Sequence, residues 1–233
     1  MATISHRKFI RWLPGEASEP TSTLVLTSPA GHFVDLRILL PSGDGPKALS
    51  DDASGILPLE RLDWAIAGTT SSSLCDDGTG QQVRRAQFNH WVSSRAEDPT
   101  GFMDEGDMYP QEDGSTLEKG CMLNPDTGKD TDYEELWLDL SPQAQSTTAL
   151  LRIDSGGVRG MIVWLGTLCQ ALVRDGGGIS LERWEMVAGK GWQRTVRMGS
   201  RALPCDDIVN DRLQLSVGSV VADGWEVLEL EKN

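Results

Sequence analysis

The residues of this chain best suited to proton transfer are Asp63, His90, Tyr109, Tyr133 and Glu135, with Arg84 and Trp91 as binding groups beside them. A carboxyl, imidazole or phenol acts as acid or base when its surroundings move its proton affinity toward the working pH. In Phe88-Asn89-His90-Trp91, strand alternation puts His90 and Phe88 on one face. Asp104, Glu105 and Asp107 form a second acidic group that could pair as acid and base or hold a hard cation. Their adjacency in a Gly-containing stretch also fits a solvated loop. Six tryptophans, Trp64, Trp91, Trp137, Trp164, Trp184 and Trp225, fall on expected strands. Inside a barrel such rings either fill the core or line an apolar pocket with a polar indole handle. Trp64, Arg84, Trp91 and Trp137 are therefore the expected ligand-binding set.

The remaining motifs are mostly exclusions. Three histidines, His6, His32 and His90, and the lack of a Gly-x-Ser-x-Gly elbow leave little room for a nucleophile triad. Gly176-Gly177-Gly178 lacks the Lys-Ser/Thr that follows a phosphate loop. Asp126 to Asp132 has the look of a calcium loop, but Gly128 stands third, Thr131 sixth and Trp137 twelfth, so a hairpin turn explains it better. Cys75, Cys121, Cys169 and Cys205 are far apart, with no Cys-x-x-Cys and no His at ligand spacing. Neither a metal nor a cofactor is expected. A formal charge of −14 opposes binding to nucleic acid or anionic membrane. No apolar run reaches the ~18 residues of a membrane-spanning helix. The start lacks the apolar core of a signal peptide, which points to a reducing intracellular compartment.

Positioning these side chains falls to β-strands. Val34, Leu36, Ile38 and Leu40 alternate with Asp35, Arg37 and Leu39, as Leu213, Leu215 and Val217 do with Gln214 and Ser216, and Leu228 and Leu230 with Glu229 and Glu231. Such alternation predicts one face on a core and the other in water. Met161 to Leu165 is apolar throughout and reads as a strand buried on both faces, and Leu168 to Val173 as the one short helix. Gly- and Asp-rich turns at short intervals imply hairpins, and many short strands imply barrels. Ser42 to Gly55 reads as a loop insertion.

The chain also repeats itself. Leu59-Glu60-Arg61-Leu62-Asp63-Trp64-Ala65-Ile66-Ala67-Gly68 returns, one residue shorter, as Leu181-Glu182-Arg183-Trp184-Glu185-Met186-Val187-Ala188-Gly189. Each copy precedes an acidic Trp-bearing segment, Asp132 to Leu140 and Asp223 to Leu230. An all-β fold of two tandem antiparallel barrels follows, residues 1–142 and 143–233, the first carrying an insertion from Glu97 to Gly120 without a counterpart in the second.

Leu62 to Thr69, Phe88 to Trp91, Met108-Tyr109-Pro110, Glu134 to Trp137 and Gly224 to Leu228 resemble, in order and spacing, the fungal Hri family. That resemblance covers almost the whole chain. It implies a fungal source, a cytoplasmic or nuclear location, two calycin-like, lipocalin-resembling barrels, and association with a casein kinase 1 type enzyme. No established catalytic residues come with it. Asp51 before Ser54 and Glu112 before Ser115 have the spacing such kinases favour. The expected function is a non-catalytic two-barrel protein binding a partner protein or a small apolar ligand. The rival is a cofactor-independent cyclase, isomerase or dehydratase acting on a fungal secondary metabolite.

Overall fold

A computed structural model describes residues 1–41, 55–144 and 146–232. The first eight strands are β1 (Thr3–Trp12), β2 (Thr21–Thr27), β3 (His32–Leu39), β4 (Leu62–Asp76), β5 (Gln82–Ser93), β6 (Met103–Pro110), β7 (Thr116–Asn124) and β8 (Lys129–Leu140). Each pairs antiparallel with its successor, and β8 returns to β1 from Ile4↔Leu140 to Trp12↔Tyr133, so the sheet closes into a barrel. Closure leaves the meander without edges. The calcium-like stretch is the turn between β7 and β8, with Gly128 at φ 64°.

The second unit repeats this plan and then departs from it. Strands β9 (Thr148–Ser155), β10 (Val158–Leu165), β11 (Leu168–Asp175), β12 (Gly178–Val187) and β13 (Gly191–Met198) form a meander, followed by helix α1 (Cys205–Val209), β14 (Val220–Val221) and β15 (Trp225–Glu231). The sequence repeat has a structural counterpart: Leu62 to Gly68 of its first copy lie on β4, behind a short 3-10 turn at Leu59–Arg61, and Leu181 to Val187 of its second lie on β12, the fourth strand of each unit. The two acidic Trp segments are β8 and β15, which pair with the first strand of their own unit. The order is β13-β12-β11-β10-β9-β15-β14, and the sheet does not close. The expectation of two barrels is thus corrected to one barrel and one open seven-stranded sheet. Where the barrel has β6 and β7, the second unit has α1 and an irregular segment that fill the concave face. Gly55 and Leu57 of the first unit cover part of the free β13 edge by exchanging backbone hydrogen bonds with Arg197.

One apolar core is shared between the units. Leu24, Leu26, Val34, Leu36, Ile38, Ala65 and Ala67 from the outer wall of the barrel meet Leu150, Met161, Val163, Leu165, Leu172 and Leu181. Met161 to Leu165 is buried on both faces as expected, because Ile162 and Trp164 point the other way into the core under α1. Buried polar groups bridge the seam. Gln170 Nε2 donates to the carbonyls of Leu24 and Val34, each at 3.0 Å, and Arg183 Nη2 to that of Leu36 at 3.0 Å. Desolvation pulls the Arg183 pKa down to about 10.

Three sequence expectations change. The apolar face of β3 looks out of the barrel toward the second unit, so Phe33, Asp35 and Arg37 face the barrel interior and not water. Leu168 to Val173 belongs to strand β11, because Cys169, Ala171 and Val173 alternate into one core while Leu168 and Leu172 enter the other. Leu213 to Val217 is not a strand: it crosses the second unit as a loop, sending Leu215 into the core and leaving Val217 exposed. The insertion expected over Ser42 to Gly55 lies outside the described residues except for Gly55.

Candidate ligand site in the barrel

Alternation on eight strands sends one side chain in two into the barrel. The mouth, framed by the start of β1, the β2–β3 turn, the middle of β4 and the β6–β7 end, opens on a cavity of about 550 Å³. Its wall is rich in hydroxyls, among them Thr3, Ser5, Thr27, Thr70, Ser72 and Thr116, with Ala86, Phe88 and Met108 as apolar ground. Arg84 lies on this wall, exposed and in no ion pair among the described residues. Below it a second chamber of about 50 Å³ is bounded by Phe33, Asp35, Arg37, Trp64, Tyr133 and Glu135, with Asp104, Ile66 and Met122. Val25, Phe88, Glu118 and Trp137 line both spaces and form the waist between them.

The chamber floor is a buried charge network. Arg7 Nη1 and Arg37 Nη1 donate to the same Glu135 Oε1 at 2.5 and 3.1 Å. Arg7 also holds Glu19 through Nε (2.8 Å) and Nη2 (3.1 Å), and Arg37 Nε holds Asp35 Oδ2 at 2.9 Å. Asp35 Oδ1 is buried with no hydrogen-bond partner among the described residues. Burial pushes the Asp35 carboxyl up despite Arg37. At the waist Glu118 accepts from Tyr133 Oη at 2.7 Å and from Trp137 Nε1 at 2.9 Å. Burial and the nearby Glu135 carboxylate outweigh those two bonds and push Glu118 up to about 7. Burial, followed by the Glu118 charge, raises the Tyr133 phenol, so it remains a donor.

Two glycines make room for this arrangement. A Cβ on Gly106 of β6 would lie 2.6 Å from Glu118 Cγ, and one on Gly120 of β7 would lie 2.6 Å from Tyr133 Oη. Glycine inside a strand marks such close approaches. These positions, with Glu118, Asp35 and Arg37, were not among the candidate residues of the sequence. Interior glycines on neighbouring strands were the available signal.

Of the candidate set, the structure brings together Trp64, Tyr133, Glu135 and Trp137 in the chamber, with Arg84 at the mouth. His90 shares a face with Phe88, as expected, and its Nε2 lies 2.9 Å from Asp104 Oδ2, with its ring edge-on to Trp64. Trp64 is flanked by the guanidiniums of Arg37 and Arg95 at 5.2 and 4.3 Å. Glu135 is clamped by two arginines. Trp91, Asp63 and Tyr109 line neither space. Trp91 packs against the seam between units under Arg152, Asp63 pairs with Arg95 at 3.2 Å, and the Tyr109 hydroxyl donates to Asp77 on the outer surface. The acidic group divides: Asp104 faces in, while Glu105 and Asp107 face Arg85 outside. Ser115 is only 7% exposed and its hydroxyl donates to Asp113, which makes it a poor phosphate acceptor; Asp51 and Ser54 lie outside the described residues.

The geometry defines an all-β protein with a hollow, charge-lined barrel fused to a filled open sheet. A family model described as Protein HRI1 matches residues 3–229, and the chain belongs to that family. In structure it is similar to the crystal structure of the uncharacterized protein YLR301w from Saccharomyces cerevisiae, with a TM-score of 0.72 and 19% identity over 99% of both chains. No curated protein matches the chain. No helix among the described residues is long and apolar enough to cross a membrane.

Proposed function

We propose that this protein is a binding protein that holds a small amphipathic molecule inside its N-terminal barrel. One observation carries the reading: the mouth of the barrel opens on a cavity of about 550 Å³ that shares Val25, Phe88, Glu118 and Trp137 with a deeper chamber, a size suited to small molecules. The expectation of an apolar ligand is revised, since a wall of Ser and Thr hydroxyls with Arg84 favours a molecule carrying its own polar groups. The test is native mass spectrometry of the protein purified from its own cells, alongside Ser72→Trp, which fills the exposed wall of the cavity. We expect an added mass that is lost on denaturation and missing from Ser72→Trp. Equal native and denatured masses, or an adduct that persists in the variant, contradict the reading.

A second reading, a cofactor-independent isomerase, cyclase or dehydratase, is favoured by Glu118 alone. A carboxyl held near neutral pH at the waist of a cavity has the proton affinity of a general acid or base. Its check is turnover of the co-purified molecule by wild type and not by Glu118→Gln.

A further inference from the structure

We infer that the inner chamber receives the ammonium group of an organic amine, with Asp35 Oδ1 and Glu118 as its acceptors; this rests on the barrel being the ligand site. Both arginines of the floor are already committed: Arg7 to Glu19 and Glu135, Arg37 to Glu135 and Asp35 Oδ2. Two acceptor positions are left without a charged donor in contact among the described residues. Among the described residues Asp35 Oδ1 is buried with no donor, and Glu118 is bonded only by the neutral Tyr133 hydroxyl and Trp137 indole. A buried carboxylate oxygen in that position is strongly unfavourable unless a donor, and best a charged one, meets it.

The rest of the chamber suits the same guest. Phe33, Phe88 and Trp137 bound it with ring surface, and aromatic faces attract ammonium groups by their quadrupoles. Trp64 is less available, because Arg37 and Arg95 already flank it. A volume of about 50 Å³ admits a small head group and little more, so the remainder of the molecule must occupy the larger space above the waist. Its hydroxyl-rich wall and the free Arg84 then meet the polar part of that remainder. An anion entering the chamber meets Asp35 and Glu118, while Arg37 is already held by Asp35 and Glu135. Among the described residues there is no group of three or more acidic, His or Cys side chains arranged to hold a metal ion, which points the assignment toward an organic cation.

The experiment is isothermal titration of the full chain at physiological salt with three probes of equal length: hexylamine, hexanol and hexanoate. Hexylamine is expected to bind one to one and at least tenfold more tightly than hexanol, with no binding of hexanoate. Asp35→Asn is expected to weaken hexylamine at least tenfold and leave hexanol unchanged. Glu118→Gln, whose carbonyl can accept from the Trp137 indole while its amide donates to the Tyr133 hydroxyl oxygen, covers the case in which Asp35→Asn fails to fold, and it too should lose hexylamine affinity. Hexanol or hexanoate binding as tightly as hexylamine overturns the assignment, as does unchanged hexylamine affinity in a folded variant. If the purified protein carries a cavity adduct but hexylamine gains nothing over hexanol, the barrel reading stands and the cation assignment falls.

Discussion

The two units start from the same meander and end with opposite interiors. In the first, Phe33, Asp35, Arg37, Trp64 and Glu118 face a hollow; in the second, Trp164, Cys169, Trp184, Trp225 and Val227 face Leu203, Ile208, Val209 and Leu215, and the space is filled. Trp64 and Trp184, on corresponding strands though at different positions of the repeat, point inward in both. One lines the chamber, and the other is packed under α1 with its indole donating to Glu182 at 2.7 Å. Closing the barrel with β6 and β7 preserves a cavity, whereas replacing them with a helix removes it. The shared seam explains how the barrel tolerates polar groups inside: its outer wall supplies apolar burial that its interior does not.

The comparison can be attacked at several points. Trp225→Ala should cost about 3–5 kcal/mol through the cavity left in the filled unit. Because Trp225 is 1% exposed among apolar groups, urea unfolding should show the same loss at pH 5 and pH 8. Arg37→Met should cost a similar ~3–5 kcal/mol at pH 8, since it strands the buried Asp35 carboxylate while Arg7 still holds Glu135. That loss should shrink toward pH 5 as the Asp35 carboxyl, pushed up by burial, takes up a proton, which separates a charged interior from an apolar one.

Glu118 gives a smaller effect with a definite sign. Its folded pKa of about 7 lies above its ordinary value of 4.5, so between those pH values the folded protein holds a proton that the unfolded chain has lost. Stability therefore falls as pH rises from 4.5 to 7 and is flat above. Glu118→Gln should remove that slope, gaining up to roughly 3 kcal/mol at pH 8 relative to pH 4.5 by the proportionality of about 1.4 kcal/mol per pH unit. A wild-type profile without the slope would place Glu118 in water. Gly120→Ala should cost about 1–3 kcal/mol by forcing a methyl against the Tyr133 ring, read as a drop in melting temperature. Arg84→Ala, at an exposed position, should stay within about 0.5 kcal/mol of wild type in stability while reducing the native adduct.

How much of this was legible in the sequence varies by element. The repeated segment and the two acidic Trp strands pointed to corresponding strands of the two units, although Leu59-Glu60-Arg61 is a short 3-10 turn ahead of β4 and Leu181-Glu182-Arg183 is buried within β12. The alternation on β3 was legible as a strand but not in its direction. Period two tells which residues share a face and is silent on whether the polar face meets water or the inside of a barrel. Asp35 and Arg37 were thereby assigned to solvent. Glu118 went unseen for a related reason, lying between Leu117 and Lys119 in the stretch read as an insertion. The open second sheet was hidden because nothing local in Cys205 to Val209 announces that a helix of five residues takes the place of two strands.

The most direct test of the division between a hollow unit and a filled one follows the indole resonances of the eight tryptophans in isotope-labelled protein titrated with a small-molecule extract of the protein's own cells. The account predicts saturable shifts of the Trp64 and Trp137 indoles, with Trp184 and Trp225 unmoved. Shifts confined to Trp184 and Trp225, or a spectrum unchanged at saturating extract, would contradict it.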